Sequence, residues 1–404
     1  MKSTQTQTSR EFGAILLIAG SCIGSAMLGL PVLSAPSGFI PSIFWFILSW
    51  LFMCSSGLLL LEVNLWFKED VSLISMAKKT LGNFGQSLCW ILFLFLFYCL
   101  LIAMVSASGS LTSQVFDQLA EVSLPHWVGS VAFTALFGFL VIIGTRAVDE
   151  FNRLLMLGLA ISYLLMLMMG GPQIKLENLQ YSEWKFSLLA VPAMVISFGY
   201  HNLIPSVTRY LKHEKHRLKH VVILGSFLPL IIYVLWQALI LGIVPIENLT
   251  SVLEQGETAT LALKNAAGND WVVILAQHFA LFAVVTTFLG ITLSFVDFLA
   301  DGFNLSNTLK NRTVLCLLTL APPFIISFTY SGLFLKALSY AGAFGAVILF
   351  GLLPVAMVWV GRNSQKNPEN RLLPGGKISL SLVAAFAILV IVMQLIEELA
   401  ILRS

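Results

Sequence analysis

An interrupted apolar stretch at residues 20–31, GSCIGSAMLGLP, decides how this chain is interpreted. Glycine and proline disrupt the i to i−4 hydrogen bonds of a helix, and in lipid the freed amides and carbonyls must find other partners. A second interruption, SFGYHN at 197–202, is followed by Pro205. Broken membrane helices at corresponding positions in two halves of a chain are typical of secondary transporters, which bind substrates and ions at the breaks.

The composition is that of an integral membrane protein. Hydrophobic residues make up 58% of the 404 residues and charged residues only 11%, whereas a soluble domain carries about 25% charged residues. A helix needs about 20 apolar residues to cross the hydrocarbon core. Stretches of this kind occur at 12–33, 39–62, 86–114, 127–145, 151–170, 186–208, 218–242, 272–300, 313–330, 333–360 and 379–402. The sequence has no phosphate-binding loop motif, which argues against ATP hydrolysis within the chain.

The basic residues predict the orientation, because Lys and Arg are retained on the cytoplasmic side. With the N-terminus inside, the outer side receives only five of the 23, namely Lys175, Lys185, Lys264, Lys336 and Arg403. The sequence therefore predicts a cytoplasmic N-terminus and, with an odd number of spans, a periplasmic C-terminus. The net charge of +3 follows from this topology and does not indicate a nucleic-acid partner.

The two interruptions divide the chain into two halves. After a cytoplasmic tail at 1–11, predicted to be disordered up to Arg10, five apolar spans lie in each of the repeats 12–170 and 186–360. One further span lies at 379–402. Because each repeat has an odd number of spans, the two repeats insert with opposite topology. The expected fold is all-α and membrane-integral, with about 11 transmembrane helices, a five-plus-five inverted repeat and broken helices 1 and 6.

The first interruption supplies Gly20, Ser21, Gly24 and Ser25 as candidate substrate-binding residues. Unwound amides and carbonyls coordinate the amino and carboxylate groups of a small zwitterion, assisted by the positive N-terminus of a half-helix. The alternative is close helix packing, because Gly20 and Gly24 also form a small-x-x-x-small pattern. The second interruption favours binding, since packing alone does not predict its position.

The second interruption contributes further candidates for the substrate site, namely Ser197, Phe198, Gly199, Tyr200, His201 and Asn202. An imidazole at membrane depth is costly, so His201 is a candidate proton carrier or substrate ligand. The alternative is a neutral histidine held in a helix contact. The rings of Phe198 and Tyr200 either stack on an aromatic substrate or pack within the protein.

Intramembrane carboxylates are few and therefore informative. Glu62 ends the second span, and Asp297 lies late in the eighth span, one turn before Asp301. Both are candidate carriers of a coupling proton. For Glu62 and Asp301 an interfacial cap or an ion pair with Lys or Arg is the favoured alternative, so Asp297 is the better candidate.

Hydroxyl groups extend the candidate site. Tyr98, in the middle of the third span, is a candidate to hydrogen-bond a substrate carboxylate, and simple packing is its alternative. Hydroxyls of the eighth span are candidate ligands of an ion or substrate, although such side chains often bond their own helix. These hydroxyls belong to Thr286, Thr287, Thr292 and Ser294.

Two connections and one histidine cluster carry further expectations. Residues 70–81 have the spacing of a short interfacial helix, and the outer connection at 247–265 is expected to contain a helix that caps the entrance. His213, His216 and His220 have the spacing of a helical metal site, but their cationic neighbours disfavour a metal. We therefore expect neither a metal nor a cofactor.

Four segments carry a resemblance to a known family: residues 20–31, LLLEV at 59–63, SFGYH at 197–201 with Pro205 and Ser206, and FVDFLAD at 295–301. They resemble the bacterial hydroxy and aromatic amino acid permease family over nearly the whole chain. This resemblance implies an inner-membrane, proton-coupled importer of aromatic amino acids with eleven spans and a LeuT-like fold. These permeases commonly have Gly where this chain has Asn202, so tyrosine, tryptophan and phenylalanine remain alternatives.

The sequence thus predicts a secondary transporter, not an enzyme, that imports tyrosine or tryptophan with protons by alternating access. Sodium coupling is an alternative, because unwound carbonyls and hydroxyls suit Na⁺ as well as a carboxylate suits a proton. A non-transporting amino acid sensor is a second alternative, which the lack of a cytoplasmic output domain disfavours. The lipid bilayer is an expected partner, and the sequence does not determine the oligomeric state.

Overall fold

The chain folds almost entirely into helices. The computed structural model describes residues 2–67, 69–120, 125–266, 270–306, 308–330, 332–364 and 371–401. The α-helices are α1 Lys2–Cys22, α2 Ala26–Ser34, α3 Phe39–Asn64, α4 Leu73–Ala120, α5 His126–Ile143, α6 Thr145–Gly170, α7 Leu176–Gln180, α8 Val191–Ser197, α9 Ile204–Tyr210, α10 Lys215–Ile243, α11 Ile246–Gln255, α12 Ala259–Ala266, α13 Asp270–Gly302, α14 Leu309–Thr329, α15 Phe334–Tyr340, α16 Leu353–Ser364 and α17 Gly376–Ile401. A π-helical segment, Ala341–Leu352, joins α15 to α16.

Most of the predicted spans are single helices in the structure. Among the described residues, 9 helices are long and apolar enough to cross a membrane, and a further pair, Ser9–Cys22 with Ala26–Ser37, crosses with a bend of 56°. The predicted span at 186–208 instead consists of α8 and α9, each of 7 residues. An irregular stretch and a short 3₁₀ turn, His201–Leu203, separate these two helices. The glycine-containing interruptions therefore correspond to two real helix breaks.

The first break is shorter than the sequence indicates. Gly20 and Ser21 remain helical within α1, and only residues 23–25 leave the helix. The amide of Ile23 still donates to the carbonyl of Ala19 at 3.1 Å, so the i to i−4 ladder continues through Gly20. A glycine inside a helix costs only about 1 kcal/mol, which explains why Gly20 alone does not end α1.

The first ten residues also differ from the expectation of disorder. Helix α1 begins at Lys2, so the N-terminal tail continues the first span as helix. Once an apolar span has nucleated a helix, each added residue fixes one backbone position and gains one hydrogen bond. The Ser- and Thr-rich composition of the tail does not outweigh this propagation.

The two helix breaks lie side by side in the interior. Helix α1 packs along α10, α6 packs along α13, and α4 packs along α5. Helix α8 is buried over its whole length and packs against α2, α3 and the π-helical segment. The longer helices thus surround the broken segments and exclude lipid from them, as irregular backbone at membrane depth requires.

Both predicted connecting helices are present. The 70–81 segment forms the first turns of α4, which Gly82 separates from the rest of that helix with φ 72° and ψ −160°. The 247–265 connection forms α11 and α12, joined through Gly256 with φ 68°. A side chain at Gly256 would collide with the backbone of Gly332. Glycine is therefore required at position 256, where the α11–α12 connection meets the segment between α14 and α15.

Candidate functional site

A cavity of about 500 Å³ lies between the two helix breaks. The ends of α1, α2 and α8 form one side of it, and α4, α6, α13 and the π-helical segment form the others. The predicted substrate-binding residues that line it are Gly20, Ser21, Gly24, Ser25, Ser197, Gly199 and Asn202. Residues 175 positions apart in sequence thus share one space, as the two-half interpretation requires.

The first break touches α13 through a hydroxyl group. The backbone amide of Ser25 donates to Thr287 Oγ1 at 3.0 Å. A Cβ atom at Gly24 would lie 2.7 Å from the same oxygen, so glycine is needed for this approach. Thr286 and Ser294 of α13 also line the cavity, whereas Thr292 is buried outside it. Three of the four predicted eighth-span residues thus line the cavity, and the Thr286 hydroxyl donates to the Phe282 carbonyl of its own helix at 2.8 Å.

Three side chains of α10 hold the broken helices. The Tyr233 hydroxyl lies 2.6 Å from the carbonyl oxygen of Cys22 and 2.7 Å from that of Ser197. Trp236 Nε1 donates to the Met27 carbonyl at 2.7 Å. The Gln237 amide donates to Ser34 Oγ. The Tyr233 hydroxyl meets carbonyls at the ends of α1 and α8, and the Trp236 indole supplies a donor to the Met27 carbonyl, whose i+4 residue is Pro31 and has no N–H.

The walls of the cavity combine aromatic rings with isolated polar groups. Phe93 and Phe97 of α4 and Phe350 of the π-helical segment supply the rings, and Met156 of α6 supplies a flexible apolar side chain. Asn152 of α6 also lines the cavity, and its Oδ1 is buried with no hydrogen-bond partner among the described residues. A mostly apolar pocket with a few convergent polar groups is typical of small-molecule sites.

The cavity extends toward the end of the bundle at which α1 begins. Leu16 and Leu17 line it from the half of α1 that precedes the break. Asn152, near the start of α6, and Ser294, late in α13, line the same portion. On the opposite side of the break, α2 is buried from Met27 to Ser34. The lining of the cavity thus continues along the half of α1 that precedes the break.

Two of the predicted aromatic site residues lie away from the cavity. Tyr98 is half-buried, and its hydroxyl donates to the Leu318 carbonyl of α14 at 3.2 Å. Phe198 is fully buried and packs edge-on against Tyr233, with ring centroids 5.2 Å apart. Neither ring lines the cavity in the structure, because each side chain points from its helix into a contact with a neighbouring helix. In the structure both rings therefore make the packing contacts that the alternative describes.

Tyr200 and His201 are also buried behind the cavity wall. The Tyr200 hydroxyl donates to the Met53 carbonyl at 3.2 Å. His201 Nε2 lies 2.9 Å from Ser56 Oγ, which itself donates to the Met53 carbonyl at 3.1 Å. Because Ser56 has one hydroxyl proton, this arrangement favours a His201 that donates from Nε2. A Nδ1 lone pair then remains without a partner in the described structure.

Glu62 is held in a buried ion pair. Arg362 Nε and Nη2 each donate to the Glu62 carboxylate at 2.8 Å, and the amide of Leu372 donates at 3.1 Å. The Glu62 side chain is 1% exposed. Such a two-bond pairing with Arg joins the ends of α3 and α16 and stabilises the charged carboxylate. The structure therefore agrees with the ion pair that the sequence favoured over proton coupling.

Asp297 lies outside the cavity but close to its mouth. It is exposed, one turn beyond Ser294 on the same face of α13. Arg312 of α14 is near enough to interact electrostatically with its carboxylate, as is Asp301. Asp297 is thus placed between the cavity and the end of the bundle that carries the N-terminus.

The histidines of the 213–220 segment form no metal site in the structure. The rings of His216 and His220 meet edge to face with centroids 4.3 Å apart. Within the described ranges there is no group of three His, Cys, Asp or Glu side chains that is arranged to hold a metal ion.

Sequence reasoning missed the α10 residues and several cavity residues, among them Asn152 and Phe350. Tyr233, Trp236 and Gln237 follow an i, i+3, i+4 spacing, which marks a polar stripe on one face of an otherwise apolar helix. That stripe was a usable signal. Asn152 and Phe350 carry no comparable signal, because isolated polar and aromatic residues are common in membrane helices.

Comparison with known proteins identifies the family. The sequence matches the tryptophan/tyrosine permease family over residues 7–394. The tryptophan-specific transport protein of Haemophilus influenzae is 30% identical over 407 residues, covering 97% of this chain and 97% of that protein. The tyrosine-specific transport system 1 of the same bacterium is 30% identical over 394 residues, covering 95% of this chain and 96% of that protein. Both are named as transport proteins, not as enzymes.

The fold is similar to that of a solved structure. The crystal structure of MhsT in complex with L-phenylalanine superposes with a TM-score of 0.66 at 13% sequence identity, covering 94% of this chain and 97% of that chain. This likeness establishes the LeuT-like fold that the sequence predicts. With the family match over nearly its whole length, the chain belongs to the tryptophan/tyrosine permease family.

Proposed function

We propose that this protein imports an aromatic amino acid, tyrosine or tryptophan, together with protons by alternating access. Its family and fold already make it a multi-pass membrane protein for amino acid transport. The observation that carries the finer proposal is the cavity between the breaks, where unwound backbone, hydroxyl groups and aromatic rings meet. The family relatives named for tryptophan and tyrosine, and the L-phenylalanine bound to MhsT, support the same substrate class.

The cavity has the size for one aromatic amino acid. Its volume of about 500 Å³ lies within the range of about 300–1,000 Å³ that small-molecule sites occupy. The substrate ring packs against Phe97 and Phe350, since aromatic rings pair favourably in offset or edge-on arrangements. Asn202, which lines the cavity and is exposed, faces the polar part of the substrate side chain.

The backbone groups of the substrate bind at the helix breaks. The ammonium group is attracted to carbonyl oxygens at half-helix C-termini, and the carboxylate to amides at half-helix N-termini. The residues that supply these groups are Gly20, Ser21, Gly24, Ser25, Ser197 and Gly199. Because a LeuT-like site is formed by two segments that move relative to each other, substrate bridging both breaks links binding to the change of access.

Asp297 is the proposed carrier of the coupling proton. It is a carboxylate near the cavity mouth, whereas the Glu62 carboxylate is already neutralised by Arg362. His201 is the second candidate, because its imidazole stacks on the ring of Phe350, which lines the cavity. Movement of that ring would expose the imidazole to the substrate.

The proposed location is the bacterial inner membrane with the N-terminus in the cytoplasm and the C-terminus in the periplasm. The distribution of Lys and Arg supports this orientation. The cavity then faces the cytoplasm, which corresponds to an inward-facing state. The two repeats, 12–170 and 186–360, are the units that we propose to move against each other, with 379–402 as an additional helix.

Uptake by the purified protein in liposomes tests the proposal. We expect accumulation of labelled L-tyrosine or L-tryptophan when a proton gradient is imposed, and none with liposomes that lack the protein. Accumulation driven only by a sodium gradient would replace proton with sodium coupling. Saturable binding without uptake under any gradient would favour the sensor alternative. If the protein neither binds nor takes up either amino acid, the result contradicts the proposed substrate class.

A further inference from the structure

The ends of two half-helices converge on one side chain. Cys22 is the last residue of α1, and Ser197 is the last residue of α8. Their carbonyl oxygens lie 2.6 Å and 2.7 Å from the hydroxyl oxygen of Tyr233. Tyr233 is 0% exposed and is enclosed by the rings of Phe46 and Phe198. The Tyr233 hydroxyl thus contacts both helix breaks.

Two helix C-termini meeting at one point create a region of negative potential. Each helix C-terminus carries the equivalent of about half an elementary negative charge. In transporters with broken helices, such carbonyl groups coordinate sodium ions. Leaving both carbonyls without a partner at membrane depth is costly. A positively charged or hydrogen-bonding group must therefore occupy the space between them.

The Tyr233 hydroxyl occupies that space. It presents one proton to two acceptors, so the two carbonyl groups share a single donor. The Trp236 indole fixes the same helix, α10, to the backbone of α2. The tyrosine oxygen is thus held where it meets both breaks, and its position does not depend on a dissociable ligand.

We propose that Tyr233 is a positioning residue whose hydroxyl takes the place of a bound sodium ion between the two half-helix ends, so that the substrate site forms without sodium. This inference rests on the proposed function, because it specifies how the same site is assembled for transport. It accounts for a broken-helix site that operates with protons as the coupling ion.

Tyr163 provides a matched control. Its hydroxyl donates to the Ile232 carbonyl of α10 at 2.8 Å, and its side chain is also buried. Replacing Tyr163 by Phe also removes a tyrosine hydroxyl and one hydrogen bond to α10. The acceptor of that bond is Ile232, the residue that precedes Tyr233. It leaves the helix breaks untouched.

The test compares the wild type, Tyr233→Phe and Tyr163→Phe in liposomes with an imposed proton gradient, in either sodium chloride or choline chloride. KM and the maximal rate are measured with labelled L-tyrosine and L-tryptophan, and thermal unfolding is recorded for each variant. We expect the same wild-type KM in both salts. Tyr233→Phe should raise KM about tenfold while the maximal rate at saturation changes little, since two carbonyls lose their donor. Tyr163→Phe should leave KM unchanged.

Three outcomes would overturn the proposal: a wild-type requirement for sodium, an unchanged KM in Tyr233→Phe, or an equal rise of KM in Tyr163→Phe. If Tyr233→Phe cannot be recovered folded, the wild-type comparison of the two salts decides. Failure of the wild type to take up either amino acid under any gradient would instead contradict the proposed function, and the role of Tyr233 in it would fall as well.

Discussion

The imidazole of His201 stacks on the phenyl ring of Phe350, with ring centroids 4.9 Å apart and planes inclined by 13°. Phe350 also lines the cavity, whereas His201 does not. The Phe350 ring therefore contacts both the cavity and a fully buried titratable group. This stacking contact joins the π-helical segment to the second helix break.

Replacing the Phe350 ring by a smaller side chain should expose His201. We expect Phe350→Leu to give a transport rate that depends on pH in the range where histidine titrates, about pH 6–7. The wild type should lack this component. The measurement is initial uptake as a function of pH, with the double variant Phe350→Leu, His201→Gln as the control. Persistence of the new pH dependence in the double variant would show that another group causes it.

Removing the Glu62 carboxylate should destabilise the fold. Glu62→Ala leaves Arg362 charged and buried, and breaking one partner of a buried pair costs about 3–5 kcal/mol. We expect a clearly lower unfolding temperature in detergent and little effect of the exposed-pair variant Glu150→Ala, whose partner is Arg146. A Glu62→Gln protein with wild-type stability but no proton-driven accumulation would contradict the structural role.

Neutralising Asp297 should separate exchange from coupling. Asp297→Asn keeps the size of the side chain and removes the site for a proton. We expect counterflow of labelled amino acid across the membrane to continue, while accumulation driven by a proton gradient is lost. Asp301→Asn, one turn further along α13, is the matched control. If accumulation by Asp297→Asn equals that of the wild type, the coupling proton is carried elsewhere.

The Oδ1 of Asn152, which has no hydrogen-bond partner among the described residues, should distinguish among aromatic substrates. A buried acceptor gains a hydrogen bond from an indole N–H or a phenol O–H but not from a phenyl ring. Such a bond contributes about 1 kcal/mol, or about fivefold in affinity. We expect Asn152→Leu to lose that preference in competition assays with tryptophan, tyrosine and phenylalanine. Met156→Leu, on the same helix face, should retain it. An unchanged ranking in Asn152→Leu would exclude this role.

Helices α11 and α12 should become less stable as pH rises. Burial raises the pKa of Glu257, which joins α11 to α12 and accepts a hydrogen bond from Ser110 at 2.8 Å, while Ser110, His126 and the Thr258 amide partly oppose the shift. A group with a raised folded-state pKa contributes its full stability below the ordinary glutamate pKa, and that contribution falls as pH rises through the folded value.

Hydrogen exchange of residues 246–266 measures this effect. We expect slower exchange at about pH 5 than at about pH 8, after correction for the intrinsic rate. Glu257→Gln, which cannot ionise, should remove the difference. Glu254→Gln is the control and should show the same pH dependence as the wild type. If the pH dependence persists in Glu257→Gln, Glu257 is not its cause.

The sequence by itself determined the membrane class, the positions of the two breaks and most of the spans. These features depend on local chemistry: apolar length sets a span, and the clusters at 20–31 and 197–205 place the breaks. Two of the four family motifs lie in these same clusters. Seven of the predicted substrate-binding residues line the cavity. The sequence could predict them because residues at a helix break face the space that the break opens.

Only the tertiary structure decided which larger side chains face that space. Tyr98, Tyr200 and His201 lie on segments near the cavity, but their rings fill contacts with other helices. Glu62 pairs with an arginine 300 residues away, and Tyr233 reaches two carbonyls from separate halves of the chain. The direction of a side chain in a helical bundle depends on helix rotation and on distant partners, and neither is encoded in local spacing.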